Sequence, residues 1–202
     1  MCIRDRNRTP STNPKNSNRE PSFSLDILSW NICDAKDKIL GAKTSLQEFQ
    51  TQLKDRPIFC LQETKNEIKI ADYECWNKLR SDSHSGGLCI GVRKEMLGFV
   101  KINNTDEYDD IMAVTIAGDI FNLQDEVVLV NIYDSPENSS YKTSKKKLGN
   151  DKRTLDDLSS FLSSPKCGKQ YVVVGDLNAR TANLSEPTRS DETLESLMDL
   201  SL

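Results

Sequence analysis

Four short apolar runs in this chain each end by delivering polar side chains. Phe23-Ser-Leu-Asp-Ile-Leu-Ser-Trp30 runs into Asn31, Ile58-Phe-Cys-Leu61 into Gln62 and Glu63, Val127-Val-Leu-Val130 into Asn131-Ile132-Tyr133, and Tyr171-Val-Val-Val-Gly175 into Asp176. Their β-branched and aromatic content and their length suit strands. Strand ends that converge on one edge of a sheet can point several side chains into one cleft. This pattern restricts the chain to a mixed α/β domain whose polar chemistry gathers where strands stop.

The intervening segments fill in that domain. Ile39, Leu46, Phe49 and Leu53 recur at helical intervals until Pro57 stops the pattern. Gly86 to Val92 reads as a strand introduced by glycines, and Ile111 to Ile116 and Val127 to Tyr133 as two strands paired through the loop of Gly118 to Glu126. A long polar segment then leads to Thr154–Leu162, where Leu155, Leu158, Phe161 and Leu162 mark one face of a helix. Leu194, Leu197, Met198 and Leu200 suggest a final short helix. Residues 1–22 are rich in Asn, Arg, Pro and Ser and are expected to form a disordered leader, and the opening MCIRDR is foreign in texture to the rest of the chain. Residues 23–202 are expected to form one domain, incomplete at its C-terminus.

A length of 202 residues with 36% hydrophobic and 29% charged content suits one core. No run approaches the roughly 18 apolar residues of a membrane span, and the first residues lack a signal-peptide pattern, so no membrane partner and no secretion are expected. Six cysteines without a CxxC pair read as free thiols, mostly core residues. The net charge of −4 argues against binding nucleic acid by bulk electrostatics, but not against a metal-assisted nuclease that gathers carboxylates round a cation.

Read for chemistry, the strand ends and the residues after them offer two carboxylates (Glu63, Asp176), two carboxamides (Asn31, Asn178), a phenol (Tyr133) and an ammonium (Lys65). Carboxylate and amide oxygens suit a hard cation such as Mg²⁺, and donors suit charge developing on a phosphoryl group. Each has a bland alternative: Glu63 as a solvated turn residue, Asp176-Leu-Asn178 as an Asx turn, Tyr133 as a seal on the sheet edge. Their joint occurrence favours function. No Ser/His or Cys/His pair supports covalent catalysis. The cluster Lys142, Lys145, Lys146, Lys147, Lys152 and Arg153 reads either as a solvated loop or as a grip on a nucleic-acid backbone.

In order and wording, these fragments resemble the endonuclease/exonuclease/phosphatase superfamily. The resemblance covers about residues 24 to 185, and LQETK at Leu61 to Lys65 and GDLNAR at Gly175 to Arg180 are its specific parts. The stretch Asn131 to Tyr141 looks closest to the endonuclease domains attached to reverse transcriptases in non-LTR retrotransposons. The resemblance implies a four-layer α/β sandwich and hydrolysis of a DNA phosphodiester by an Mg²⁺-assisted water, with Mn²⁺ as an alternative ion. It implies Glu63 and Asn31 at the metal, Tyr133 at the scissile phosphate, Asp176 orienting or deprotonating the water, and Asn178 stabilising the pentacovalent phosphorus. Lys65, Lys145, Lys146 and Lys147 would lie along the backbone of the nucleic acid.

The departures count too. The family completes its site with a strand aspartate and a Ser-Asp-His element, whereas the one histidine here, His84, lies mid-chain and reads as a loop residue. Three readings therefore stand: a DNA endonuclease of a retrotransposon-type protein that continues into a reverse transcriptase and works in the nucleus, a catalytically inactive fragment with weak nucleic-acid or metal binding, and a phosphoinositide-type phosphatase.

Overall fold

The computed structural model describes residues 25–37, 41–42, 47–80, 86–136, 139–147, 153–164 and 170–178. Two four-stranded sheets carry the architecture. The first joins β1 (Ile27–Asn31), β4 (Ile58–Gln62), β6 (Leu88–Arg93) and β5 (Tyr73–Lys78) in the order β1-β4-β6-β5. The second joins β10 (Gln170–Asp176), β9 (Val127–Tyr133), β8 (Ile111–Ile116) and β7 (Val100–Ile102) in the order β10-β9-β8-β7. Between β1 and β4 lie a two-residue-per-strand ribbon, β2 (Lys36–Asp37) with β3 (Gly41–Ala42), and helix α1 (Gln47–Leu53). Helices α2 (Ser140–Lys147) and α3 (Thr154–Leu162) lie between β9 and β10.

Alternation along each strand builds the layers, because successive side chains face opposite sides of a sheet. Ile58 and Cys60 of β4, Met112, Val114 and Ile116 of β8, and Leu129 of β9 meet in the core between the sheets. Phe59 and Leu61 turn the other way, onto Phe49 and Leu53 of α1. Ala113, Val128 and Val130 turn onto Leu155, Leu158 and Phe161 of α3. The result is the expected four-layer α/β sandwich: helix, sheet, sheet, helix. No helix among the described residues is long and apolar enough to cross a membrane.

Each sheet contains one parallel pair, β1 with β4 and β10 with β9, while the other pairings are antiparallel. A parallel pair needs a crossover connection, here supplied by the segments carrying α1 and by α2 with α3. The consequence is positional. Asn31 pairs with Gln62 at the end of one parallel pair, and Asp176 with Tyr133 at the end of the other. The central strands β4 and β9 are buried throughout, whereas β1 and β10 are half-exposed.

The structure corrects three expectations. Where a helical pattern from Ile39 is expected, a β2/β3 ribbon precedes a helix described over Gln47–Leu53, and Ile39 and Leu46 lie outside the described residues. Strand β5 and the edge strand β7 appear where the sequence pattern signals no strand. The polar segment after Tyr133 holds helix α2 instead of a continuous loop. His84, Lys152 and the expected helix around Leu194 to Leu200 lie outside the described residues, as do the leader and the last part of the 23–202 domain.

Candidate active site

Period-two arithmetic explains why the polar residues meet. Ile27, Ser29 and Asn31 share one face of β1; Ile58, Cys60 and Gln62 one face of β4; Leu129, Asn131 and Tyr133 one face of β9; Val172, Val174 and Asp176 one face of β10. All four rows face the layer between the sheets, and each changes from apolar to polar toward its C-terminal end. The inter-sheet core therefore passes into a polar cluster at one end of the sandwich.

That cluster is tightly wired. The Asn31 Nδ2 donates to Glu63 Oε1 at 2.9 Å and to Asp176 Oδ2 at 2.7 Å, so a single carboxamide joins both carboxylates. The Tyr133 hydroxyl donates to the same Glu63 Oε1 at 2.7 Å. Asn31 is itself oriented by the Cys33 backbone N–H, which donates to its Oδ1 at 2.9 Å. The Tyr133 phenol is held well above the usual tyrosine range, first by burial and then by its hydrogen bond to Glu63, and stays protonated as a donor.

Glu63 reaches the cluster through an unusual backbone. Its φ is 54° and that of Lys65 is 53°, left-handed values that cost a non-glycine residue about 1 kcal/mol or more each. Surrounding bonds impose the turn: Asp34 and Ala35 N–H donate to the Glu63 and Thr64 carbonyls at 2.8 and 2.9 Å, while Thr64 and Lys65 N–H donate to the Gly87 and Gly86 carbonyls at 3.2 and 2.9 Å. The turn lifts the Glu63 carboxylate toward β9 and β1.

Behind the cluster a buried carboxamide pair joins the two sheets. Gln62 Nε2 donates to Asn131 Oδ1 at 2.8 Å, and Asn131 Nδ2 donates to the Leu61 and Cys89 carbonyls, each at 3.1 Å. These residues are 1% and 0% exposed, so the pair is sealed from solvent. Both stand in the sequence motifs, yet sequence reasoning assigns neither a role. Their place on the inward rows is the available signal.

Of the candidate residues, the structure brings together Asn31, Glu63, Tyr133 and Asp176. Asn178 joins mainly through its backbone: its N–H donates to Asp176 Oδ1 at 2.8 Å, and its side-chain amide turns to the Asp134 carbonyl at 2.6 Å. Lys65 lies in the turn after Glu63. Lys145, Lys146 and Lys147 lie on α2, with side chains outside the described set. Lys142 is not a free basic group, since its ammonium pairs with Asp134 at 2.7 Å, and Arg153 pairs with Asp156 at 3.4 Å.

Asp176 owes its position to Gly175, whose φ is 148°. A Cβ there would lie 1.9 Å from the Ile132 carbonyl oxygen, a backbone atom that cannot yield without moving β9. Gly175→Ala is expected to cost about 2 kcal/mol or more and to lower the melting temperature by roughly 4–8 °C, read by circular dichroism.

As to oxygen donors, the cluster presents the carboxylates of Glu63 and Asp176 and the carboxamide of Asn31. Among the described residues no group of three or more His, Cys, Asp or Glu could hold a metal ion. A set this sparse does not form a closed protein cage. Carboxylate and carboxamide oxygens are the donor types that a hard divalent cation takes.

No protein-family model matches the chain, and no curated protein matches it. Solved structures similar to it include the catalytic domain of Xenopus laevis APE2, at 16% identity and a TM-score of 0.49 over 87% of this chain and 66% of that one. Another is truncated Caenorhabditis elegans TDP2, at 16% identity and a TM-score of 0.40 over 81% of this chain. The chain spans 66% of the length of each of these two.

Proposed function

We propose that the chain hydrolyses phosphodiesters with the help of a divalent metal ion, as a DNA endonuclease of the endonuclease/exonuclease/phosphatase superfamily and of the retrotransposon type. The observation that carries this reading is the Asn31 amide joining Glu63 to Asp176, with the Tyr133 hydroxyl on the same Glu63 oxygen. Four separate strand ends contribute to that cluster, and each is a fragment of the superfamily's sequence pattern.

The geometry supports one assignment of roles. Glu63 Oε1 already accepts two hydrogen bonds, so Glu63, with the Asn31 carboxamide beside it, would hold a cation through its other carboxylate oxygen. An Mg²⁺ or Mn²⁺ ion at Glu63 would neutralise charge on a phosphoryl oxygen. Asp176, fixed through both carboxylate oxygens by Asn31 and the Asn178 N–H, orients the attacking water and accepts its proton. On substrate binding Tyr133, kept protonated, would turn its hydroxyl from Glu63 Oε1 to the phosphate region, and Asn178 its amide from the Asp134 carbonyl to the developing charge. Lys65, Lys145, Lys146 and Lys147 lie on the two segments that flank the site in sequence and would meet the DNA backbone. In this reading the parent protein continues into a reverse transcriptase and acts on nuclear DNA.

The deciding experiment is nicking of supercoiled plasmid by the folded 202-residue chain in Mg²⁺ and in EDTA. Nicking in Mg²⁺ that vanishes in EDTA is the expected result. A folded chain that fails to nick yet binds Mg²⁺ or DNA would overturn the catalytic reading in favour of a binding remnant.

A further inference from the structure

A second constellation sits directly behind Tyr133, built on a residue that no strand-end motif includes. Arg80 follows β5, and its side chain is only 2% exposed. Its guanidinium lies 3.6 Å from the centroid of the Tyr141 ring on α2 and 5.2 Å from that of Tyr133. Gly86, with φ of 81°, closes on it as well: a Cβ there would fall 2.5 Å from the Arg80 Cζ. Its Nε donates to Asp110 Oδ1 at 2.8 Å, its Nη2 donates to the same oxygen, and Nη2 also donates to Ser135 Oγ at 2.9 Å.

Burying a cation in this way is a costly route to stability, and a buried ion pair rarely gains over an apolar replacement. Here one fork nitrogen, Nη1, is buried without a partner among the described residues. The arrangement is thus poorly accounted for as a stabilising bridge. Its contacts instead converge on one short stretch of chain: Asp110 lends its carbonyl to the Tyr133 N–H at 3.1 Å, Ser135 lies two residues beyond Tyr133, and the guanidinium lies against the Tyr133 ring.

We propose that Arg80 is the positioning residue for Tyr133, a clamp that holds its phenol against Glu63 through the ring, through Ser135 and through Asp110. The Ser135 hydroxyl carries the connection along the chain, since it accepts from the guanidinium two residues beyond Tyr133. Only an arginine can do this: a planar fork reaches Asp110 and Ser135 together while its flat face packs on aromatic rings, and a lysine ammonium supplies neither. Tyr141 has a matching place. It lies outside the reacting cluster and gives the guanidinium a wall, which assigns α2 a role in the site even though its sequence carries almost no apolar face.

The catalytic consequence rests on the phosphodiesterase reading; the clamp itself does not. Arg80→Lys is expected to lower the kcat of Mg²⁺-dependent nicking by roughly 10- to 100-fold with KM changed less than about threefold, and to cost less than about threefold more in a Tyr133→Phe background. Ser135→Ala, a small change that leaves the ion pair intact, serves the same cycle if Arg80→Lys does not fold. Independent, multiplying losses would overturn the proposal. A second readout uses 3-fluorotyrosine labelling, with the Tyr133 fluorine resonance identified by its absence in Tyr133→Phe. That resonance is expected to move or broaden in Arg80→Lys and in Ser135→Ala. If the wild-type chain does not nick, the enzymatic reading fails, and the fluorine spectrum still decides this one: a Tyr133 resonance unchanged in both variants would refute the clamp.

Discussion

Glu63→Ala and Asp176→Ala are each expected to lower Mg²⁺-dependent plasmid nicking by ~10³-fold or more, and Asn31→Ala by nearly as much. The reason is the shared amide. Asn31 Nδ2 donates to both carboxylates, at 2.9 and 2.7 Å, so without it two like charges face each other with no donor between them. Glu63 keeps the Tyr133 hydroxyl and Asp176 keeps the Asn178 N–H, but their relation to each other is lost. Residues that act as a unit show strongly non-additive losses, so the Asn31→Ala/Glu63→Ala double variant is expected within about threefold of Glu63→Ala alone. Melting curves supply a second measurement. Mg²⁺ at about 100 times its dissociation constant is expected to stabilise the wild type by about 2.7 kcal/mol and to leave Glu63→Ala unmoved. Losses that multiply in the double variant, or an Mg²⁺ effect retained by Glu63→Ala, would contradict this account of the site.

The elements legible in the sequence are those whose local pattern and tertiary environment agree. Strands β4, β8 and β9 and helix α3 begin and end where their apolar patterns do, because each is buried on the faces its sequence makes apolar. Strand β5, Tyr-Glu-Cys-Trp-Asn-Lys, has no apolar run to announce it: it is a sheet edge, pairs only with β6 and is mostly half-buried. Helix α2 has no apolar face either. Its start is fixed by Ser139 Oγ, which accepts the Lys142 N–H at 3.2 Å, and its single buried side chain among those described is Tyr141, which rests on Arg80. A helix whose described contacts are an aromatic ring on a guanidinium, an ion pair from Lys142 to Asp134 and polar bonds leaves little trace in hydrophobic periodicity.

The site divides in the same way. Asn31, Glu63, Tyr133 and Asp176 are legible because strand ends are visible in sequence, and their inward parity is open to the same arithmetic. Arg80 is not, because its importance comes from three partners at 110, 135 and 141, distant in sequence and unrelated to any local pattern. The expectation of core thiols holds only in part: Cys60 and Cys89 are buried, with burial raising both well above the ordinary thiol range, while Cys33 is exposed beside the site.

Asn131→Leu is expected to be the most destabilising substitution near the site, at about 3–5 kcal/mol, a cost that could leave little folded protein at 37 °C. The side chain is fully buried and makes three hydrogen bonds, one from Gln62 Nε2 and two to the Leu61 and Cys89 carbonyls. Leucine replaces its volume and none of those bonds, so the Gln62 amide, 1% exposed, loses its shortest partner and keeps only Ser29 Oγ at 3.2 Å and the Cys60 carbonyl at 3.3 Å. Replacing both members removes that mismatch. Gln62→Leu with Asn131→Leu is therefore expected to recover about 1–2 kcal/mol of the loss in urea unfolding, since a buried polar pair is costly chiefly when half of it is missing. Recovery of stability need not bring recovery of the site. Gln62 directly precedes Glu63, and Asn131 stands two residues before Tyr133 on the same face, so their bond sets how the two sheets meet where the Tyr133 hydroxyl finds Glu63 at 2.7 Å. The double variant is thus expected to fold better than Asn131→Leu and still nick at least about tenfold more slowly than wild type, a loss set by misplacement of reacting groups by fractions of an ångström. A double variant with wild-type nicking would show that apolar packing alone aligns the sheets and that the carboxamide pair has no part in positioning the site.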